Sequence, residues 1–116
     1  MRNDELSNQS LNFAVSIINL VKELKAKHES VISNQIGRSG TSIGANIREA
    51  QYAHGTADFI AKLEIALKEA NETSYWLKLM FETNRIDEIS YHNTEKLCGN
   101  IRRLLIASCR TAKDNQ

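Results

Sequence analysis

"GRSGTSIGANIREA", residues 37–50, decides the fold, because it sets three glycines and three hydroxylated residues into a segment that otherwise has helical spacing. Two readings compete: a glycine-rich loop that grips phosphate, or a helix whose surface admits a very close neighbour. At about 100° per residue, with Ile43 at zero, Ile32, Ile36, Ile47 and Ala50 all fall within roughly 40° of it. The apolar stripe runs straight through the glycines. Gly40, Gly44 and Gly37 follow on one flank, and Ser39, Asn46, Ser42 and Glu49 on the other. Arg38 and Arg48 point away from the stripe.

A glycine inside a helix costs about 1 kcal/mol relative to alanine, so three of them need a compensating reason. Close approach of another backbone supplies one, and Gly37, Gly40 and Gly44 are therefore read as close-packing positions. Gly37-Arg38-Ser39-Gly40 also has the GxxG form of a KH loop, but that loop needs strands beside it and none is apparent. A P-loop needs a preceding strand and Lys-Ser or Lys-Thr after its last glycine, where this chain has Ala45-Asn46.

Outward from this segment the helical pattern continues. Proline is absent, and strict apolar-polar alternation persists nowhere. The spacing predicts four helices, roughly 4–27, 29–53, 57–83 and 88–112. The first carries Leu11, Ala14, Ile18, Val21 and Leu24. The third carries Ile60, Leu63, Leu67, Ala70, Leu77 and Phe81, and the fourth Leu97, Ile101, Leu104, Leu105 and Ser108. Gly55 is expected to cap the second helix at its C-terminus, Thr56 to be the N-cap of the third, Asn84 to help end it, and Asp87 or Ser90 to cap the fourth. Four amphipathic helices of similar length with short connections predict a single-domain, antiparallel up-down-up-down four-helix bundle.

At 116 residues the chain can bury a core, though association would help it. The formal net charge of +1 argues against an indiscriminate polycation, so any basic surface must be local. No run of about 18 apolar residues and no basic-then-apolar leader is visible, which predicts a cytoplasmic protein without a membrane span. Cys98 and Cys109 lie on one helix roughly 16 Å apart, too far to pair, and are expected as free thiols in a reducing compartment.

Residues with chemistry are few. A di-iron bundle needs Glu-x-x-His, but Lys25, Gln51 and Ile89 precede His28, His54 and His92 at that spacing. No metal, cofactor or nucleophile motif is found, and no enzymatic activity is expected. Ser39, Asn46, Glu49, Glu64 and Asn71 border the apolar stripes of helices two and three. A Glu49–Glu64 pair could serve acid-base chemistry. A hydrogen-bond network that sets the register of the two helices is the favoured reading. Trp76 and Tyr75 read first as packing and second as base-stacking platforms.

Charge distribution says more than net charge. Lys96, Arg102, Arg103, Arg110 and Lys113 share an arc of roughly 120° on helix four, and no acid interrupts them between residues 96 and 113. Segment 58–88 instead holds seven acids against four bases. Such a stripe is a solvated face, a set of partners for acids on a neighbouring helix, or a surface for a phosphate backbone, and repetition in an oligomer would strengthen the last. Arg38 and Arg48 are candidate secondary contacts.

"RSGTSIGANIREAQYA" at 38–53 and "DFIAKLEIALKEANETSYWLKLM" at 58–80 together resemble the four-helix-bundle proteins associated with 23S rRNA intervening sequences. In that family R-S-x-x-S-I-x-A-N-I-x-E-A precedes a D-F-I-x-K-L-x-I-A-L-K-E-A-x-E-T-x-Y-W-L helix. Ser42, Asn46, Glu49, Glu64, Lys68, Glu69, Glu72 and Trp76 fall within these motifs. Gly40 stands where alanine is common, and Arg48 where a small residue is frequent. The resemblance implies a left-handed bundle and a ring-like homopentamer. It also implies kinship to accessory proteins of diversity-generating retroelements, which bind nucleic acid and a reverse transcriptase through a basic surface. An RNA and a polymerase-like protein are thus the expected partners.

Overall fold

The computed structural model describes residues 4–116, and among them all regular structure is helical: α1 (Asp4–Ala26), α2 (Val31–Gln51), α3 (Thr56–Glu82) and α4 (Glu88–Asp114). The expectation of an all-α, four-helix chain is borne out. The molecule measures 47 × 20 × 19 Å, the length of one long helix by the width of two. Each helix packs on the next and α1 closes against α4, whereas α2 and α4 lie diagonally opposed without contact.

The helix ends show how the chain turns. α1 and α3 both stop with a non-glycine residue in the left-handed region, His28 (φ 63°) and Asn84 (φ 62°). In each, the following amide reaches back across the last turn: Glu29 N to Leu24 O at 2.9 Å and Arg85 N to Met80 O at 2.7 Å. These are Schellman closures. Glu29 and Arg85, which occupy equivalent places in the two closures, also pair with each other at 2.7 Å. α2 therefore starts at Val31 and not at residue 29, because Glu29 is taken up in closing α1.

Asp87 caps α4, its carboxylate accepting from Ser90 N at 2.7 Å, and that bond holds the Asp87 carboxyl below its ordinary pKa. Gly55 does not cap α2. Tyr52 ends that helix, and Gly55, extended at φ −179°, takes the N-cap place of α3 expected of Thr56: its carbonyl accepts from Phe59 N at 2.9 Å, and Thr56 is already helical.

Phe13, Ile17, Leu24, Ile36, Ile43, Ile47, Leu63, Leu77, Met80, Ile101 and Leu105 form the fully buried core. The stripe expected for α2 does face inward, through Ile36, Ile43, Ile47 and Ala50. That expected for α1 is corrected: Leu6, Ser10, Phe13, Ile17 and Leu24 are buried, while Leu11 and Ile18 are 64% and 45% exposed. α1 carries apolar residues on two adjacent lines, and periodicity alone does not choose between them.

The choice is made at α2. A Cβ at Gly40 would stand 2.9 Å from both Cγ1 and Cγ2 of Ile17, one at Gly37 3.3 Å from Val21, and one at Gly44 3.4 Å from Ser10 Oγ. The glycine flank receives α1.

Candidate nucleic-acid interface

α4 positions the basic residues by burying its other side. Cys98, Ile101, Leu105 and Cys109 point into the core. Burial pushes the Cys98 thiol up to about 12 and raises Cys109, and both cysteines are free. Opposite them, Lys96, Arg103 and Arg110 recur every seven residues along the exposed side of α4, and Arg102 is half-buried toward α3. Among the described residues these four make no ion pair, although the Arg103 guanidinium donates to Asn100 Oδ1. Lys113 is different: its Nζ lies 2.8 Å from Glu64, which raises its pKa. Arg110 and Lys113 line a groove of about 320 Å³ with Glu64, Leu67, Ile106 and Cys109.

Arg38 and Arg48 sit on α2, across the bundle from this stripe. Arg38 is clamped between two α3 carboxylates, Glu69 at 3.1 Å and Glu72. Trp76 Nε1 donates to Glu72 at 3.0 Å. The Trp76 bond and then the Arg38 bond hold the Glu72 carboxyl below the usual range, and Glu72 in turn raises Arg38. The guanidinium is thus neutralised locally. Arg48 borders a groove between α1 and α2 of about 380 Å³, beside Leu11, Ala14, Thr41, Gly44 and Ala45.

The polar residues bordering helices two and three are only partly brought together. Ser39 is buried and hydrogen-bonded to the buried Thr73 hydroxyl of α3 at 2.8 Å. Sequence reasoning named Ser39 but missed Thr73, whose one signal was its place on the inward line of α3 between Ala70 and Leu77. Asn46 donates within its own helix to Ser42 O at 2.9 Å. Asn71 is exposed. Glu49 approaches Lys62 at 3.7 Å and Glu64 approaches Lys113, so the two carboxylates take separate basic partners. The Arg38–Glu69–Glu72–Trp76 cluster was also missed; its signal was the helical spacing of Glu69, Glu72 and Trp76. Among the described residues no group of three His, Cys, Asp or Glu side chains is placed to hold a metal ion, and no helix is long and apolar enough to cross a membrane.

The chain has close relatives in sequence and shape. A crystal structure of a protein with unknown function from the S23 ribosomal protein family of Bacteroides thetaiotaomicron is 52% identical to it. That structure superposes with a TM-score of 0.88 over 90% of this chain and 97% of the other. No curated protein matches. Residues 2–107 match the family model of the 23S rRNA-intervening sequence protein, and the helical motifs at 38–53 and 58–80 lie within that span. The chain belongs to the 23S rRNA-intervening sequence protein family.

Proposed function

We propose that this protein is a non-enzymatic, homo-oligomeric RNA-binding bundle of the bacterial cytoplasm, which holds a phosphate backbone on α4. The carrying observation is the line of cations on α4, Lys96, Arg103 and Arg110 with Arg102 beside them, that no carboxylate neutralises among the described residues. Free cations release counterions on binding phosphate, whereas a cation already paired, such as Arg38, contributes little. Lys113 is a rim contact at most, and Arg38 and Arg48 stand outside the primary surface.

The monomer in this reading is a left-handed, antiparallel up-down-up-down bundle. The antiparallel arrangement is supported by the reversed order of contacts: Gly37, Gly40 and Gly44 of α2 meet Val21, Ile17 and Ser10 of α1, and Glu64, Ala70 and Ser74 of α3 meet Lys113, Cys98 and Glu95 of α4; the left hand is what the resemblance implies. Association finds support in an apolar ridge on α1 beside the glycine groove, where Leu11, Val15 and Ile18 are exposed; a ring of five is the form the family resemblance implies. Such ridges commonly mark protein contacts.

Binding is tested with Arg102→Glu, Arg103→Glu and Arg110→Glu together. RNA retention should be lost with helix content and oligomer unchanged, and single substitutions should lower the salt slope by about one each. Undiminished binding defeats the reading. Assembly is tested separately by light scattering: Leu11→Asp with Val15→Asp should yield monomers, and a monomeric wild type at micromolar concentration removes the ring. The same α1 ridge favours a second reading, an accessory subunit for a polymerase-like protein akin to retroelement accessory proteins. A specific partner that survives nuclease treatment and is lost with Leu11→Asp would favour it.

A further inference from the structure

Of the four pairs of neighbouring helices, α1 and α4 pack against each other least, and the lining of their seam differs in chemistry from the others. Glu5 and Gln9 of α1 face Asn100, Arg103 and Leu104 of α4 across a groove of about 370 Å³. From Gln9, steps of three and four carry Asn12, Ser16 and Asn19 along the same side of α1. On α4, Asn93 lies seven residues before Asn100 and on the same line. Asn12, Asn19 and Asn93 are exposed, and Gln9, Ser16 and Asn100 half-buried. The α1 row extends for roughly 15 Å at about 1.5 Å per residue. Acids stand only at its ends, Glu5 and Glu23.

This row does not serve to join the helices. Among the described residues the Gln9 amide donates to Glu5 of its own helix at 3.1 Å, Asn100 accepts from Arg103, and Asn12, Ser16, Asn19 and Asn93 make no side-chain hydrogen bond. Those four side chains lie at least partly open to solvent, on the two helices that also carry the cations Lys96 and Arg103.

We propose that this α1–α4 groove distinguishes RNA from DNA, by presenting its amides and hydroxyl to the 2′-hydroxyls of a strand whose phosphates lie on Lys96 and Arg103. Beyond Glu5 at the end of the groove, the row from Gln9 to Asn19 holds no carboxylate to repel the backbone, and apolar side chains there would offer nothing to a sugar. A carboxamide carries both a donor and an acceptor, and so does the 2′-hydroxyl, which is the group a protein must contact to tell the two polymers apart. The cations supply affinity without regard to the sugar, and the amide row supplies the choice. This inference rests on the proposed binding of RNA by α4.

The experiment compares an unstructured single-stranded RNA of about 20 nucleotides, longer than the site of a typical single-strand binder, with DNA of the same sequence. With each net hydrogen bond worth about two- to tenfold, the wild-type protein should prefer RNA by about tenfold or more. In the triple variant Asn12→Ala, Ser16→Ala, Asn19→Ala, the affinity for RNA should fall to that for DNA. Its DNA affinity, salt slope and melting temperature should stay at wild-type values. Equal binding of both polymers by the wild type, or a preference that survives the triple variant, overturns the groove's role and leaves the α4 stripe standing. Absence of salt-sensitive binding to either polymer overturns both.

Discussion

The two flanks of α2 hold their neighbours by opposite means. Toward α1 the helix presents Gly37, Gly40 and Gly44, and the seam is made by shape: both γ-carbons of Ile17 stand 2.9 Å from where a Cβ at Gly40 would be. Toward α3 the same helix presents Arg38, Ser39 and Glu49, and the seam carries a buried hydroxyl pair and two surface ion-pair groups. Steric seams tolerate no added atom but are indifferent to pH and salt. Polar seams tolerate volume better, lose a partner's worth of energy when cut, and respond to solution conditions.

The largest effect should come from filling the steric flank. Gly40→Leu drives a side chain into the buried Ile17, and overpacking of this kind costs about 1–3 kcal/mol or more, seen as a lower denaturation midpoint. Gly40→Ala and Gly44→Ala sharpen the point because their signs should differ. At Gly44 the new methyl meets Ser10 at ordinary contact distance, so the better helix propensity, about 1 kcal/mol, should appear as stabilisation. At Gly40 the clash should outweigh it, and Ile17→Ala, which removes both clashing γ-carbons, should cost less in the Gly40→Ala background than in the wild type. Equal effects at the two positions would contradict a seam made by shape.

Next comes the buried polar link. Thr73→Val leaves the Ser39 hydroxyl buried without its partner and should cost about 1–2 kcal/mol, whereas the double variant with Ser39→Ala should recover part of that in thermal melts. If the double variant is additive, the hydroxyl pair is not the unit that holds this flank.

The smallest effect belongs to the exposed clamp. Arg38→Ala, at a side chain 48% exposed, should cost no more than about 1 kcal/mol. Its pH dependence has a defined sign. Glu72 is depressed below its ordinary value by Trp76 and Arg38, so the stabilisation is present above the normal carboxylate range and fades as pH falls through the lowered value. Melts of the wild type and Arg38→Ala should therefore converge at acid pH, while the penalty of Gly40→Ala stays constant. A difference that persists undiminished into acid would show that the clamp's charge is not what holds Arg38 in place.

The α2 stripe was legible because its isoleucines occupy one line and its other residues are small or polar, leaving periodicity a single choice. In α1 two apolar lines compete, one through Phe13 and Ile17 and one through Leu11 and Ile18. Only the hollow at Gly40 selects the first. The cations of α4 were equally legible as a set, since their spacing and the lack of acids between them are properties of the chain. Which of them are free was not, because the carboxylates that occupy Lys113 and Arg38 come from α3, at separations in sequence that no local pattern reports.

By itself the sequence determined four helices, their approximate ends, the inward stripe of α2 and the family motifs, all consequences of spacing within one helix turn or of turn chemistry between helices. The tertiary structure decided which side of α1 is core, that Gly55 precedes α3 without capping α2, that Arg38 is neutralised, and that Glu5 and Gln9 of α1 meet Asn100 and Arg103 of α4 across a groove. Each of these depends on which side chains from distant segments meet. That is settled by packing volume and charge pairing across seams, and local periodicity carries no record of either.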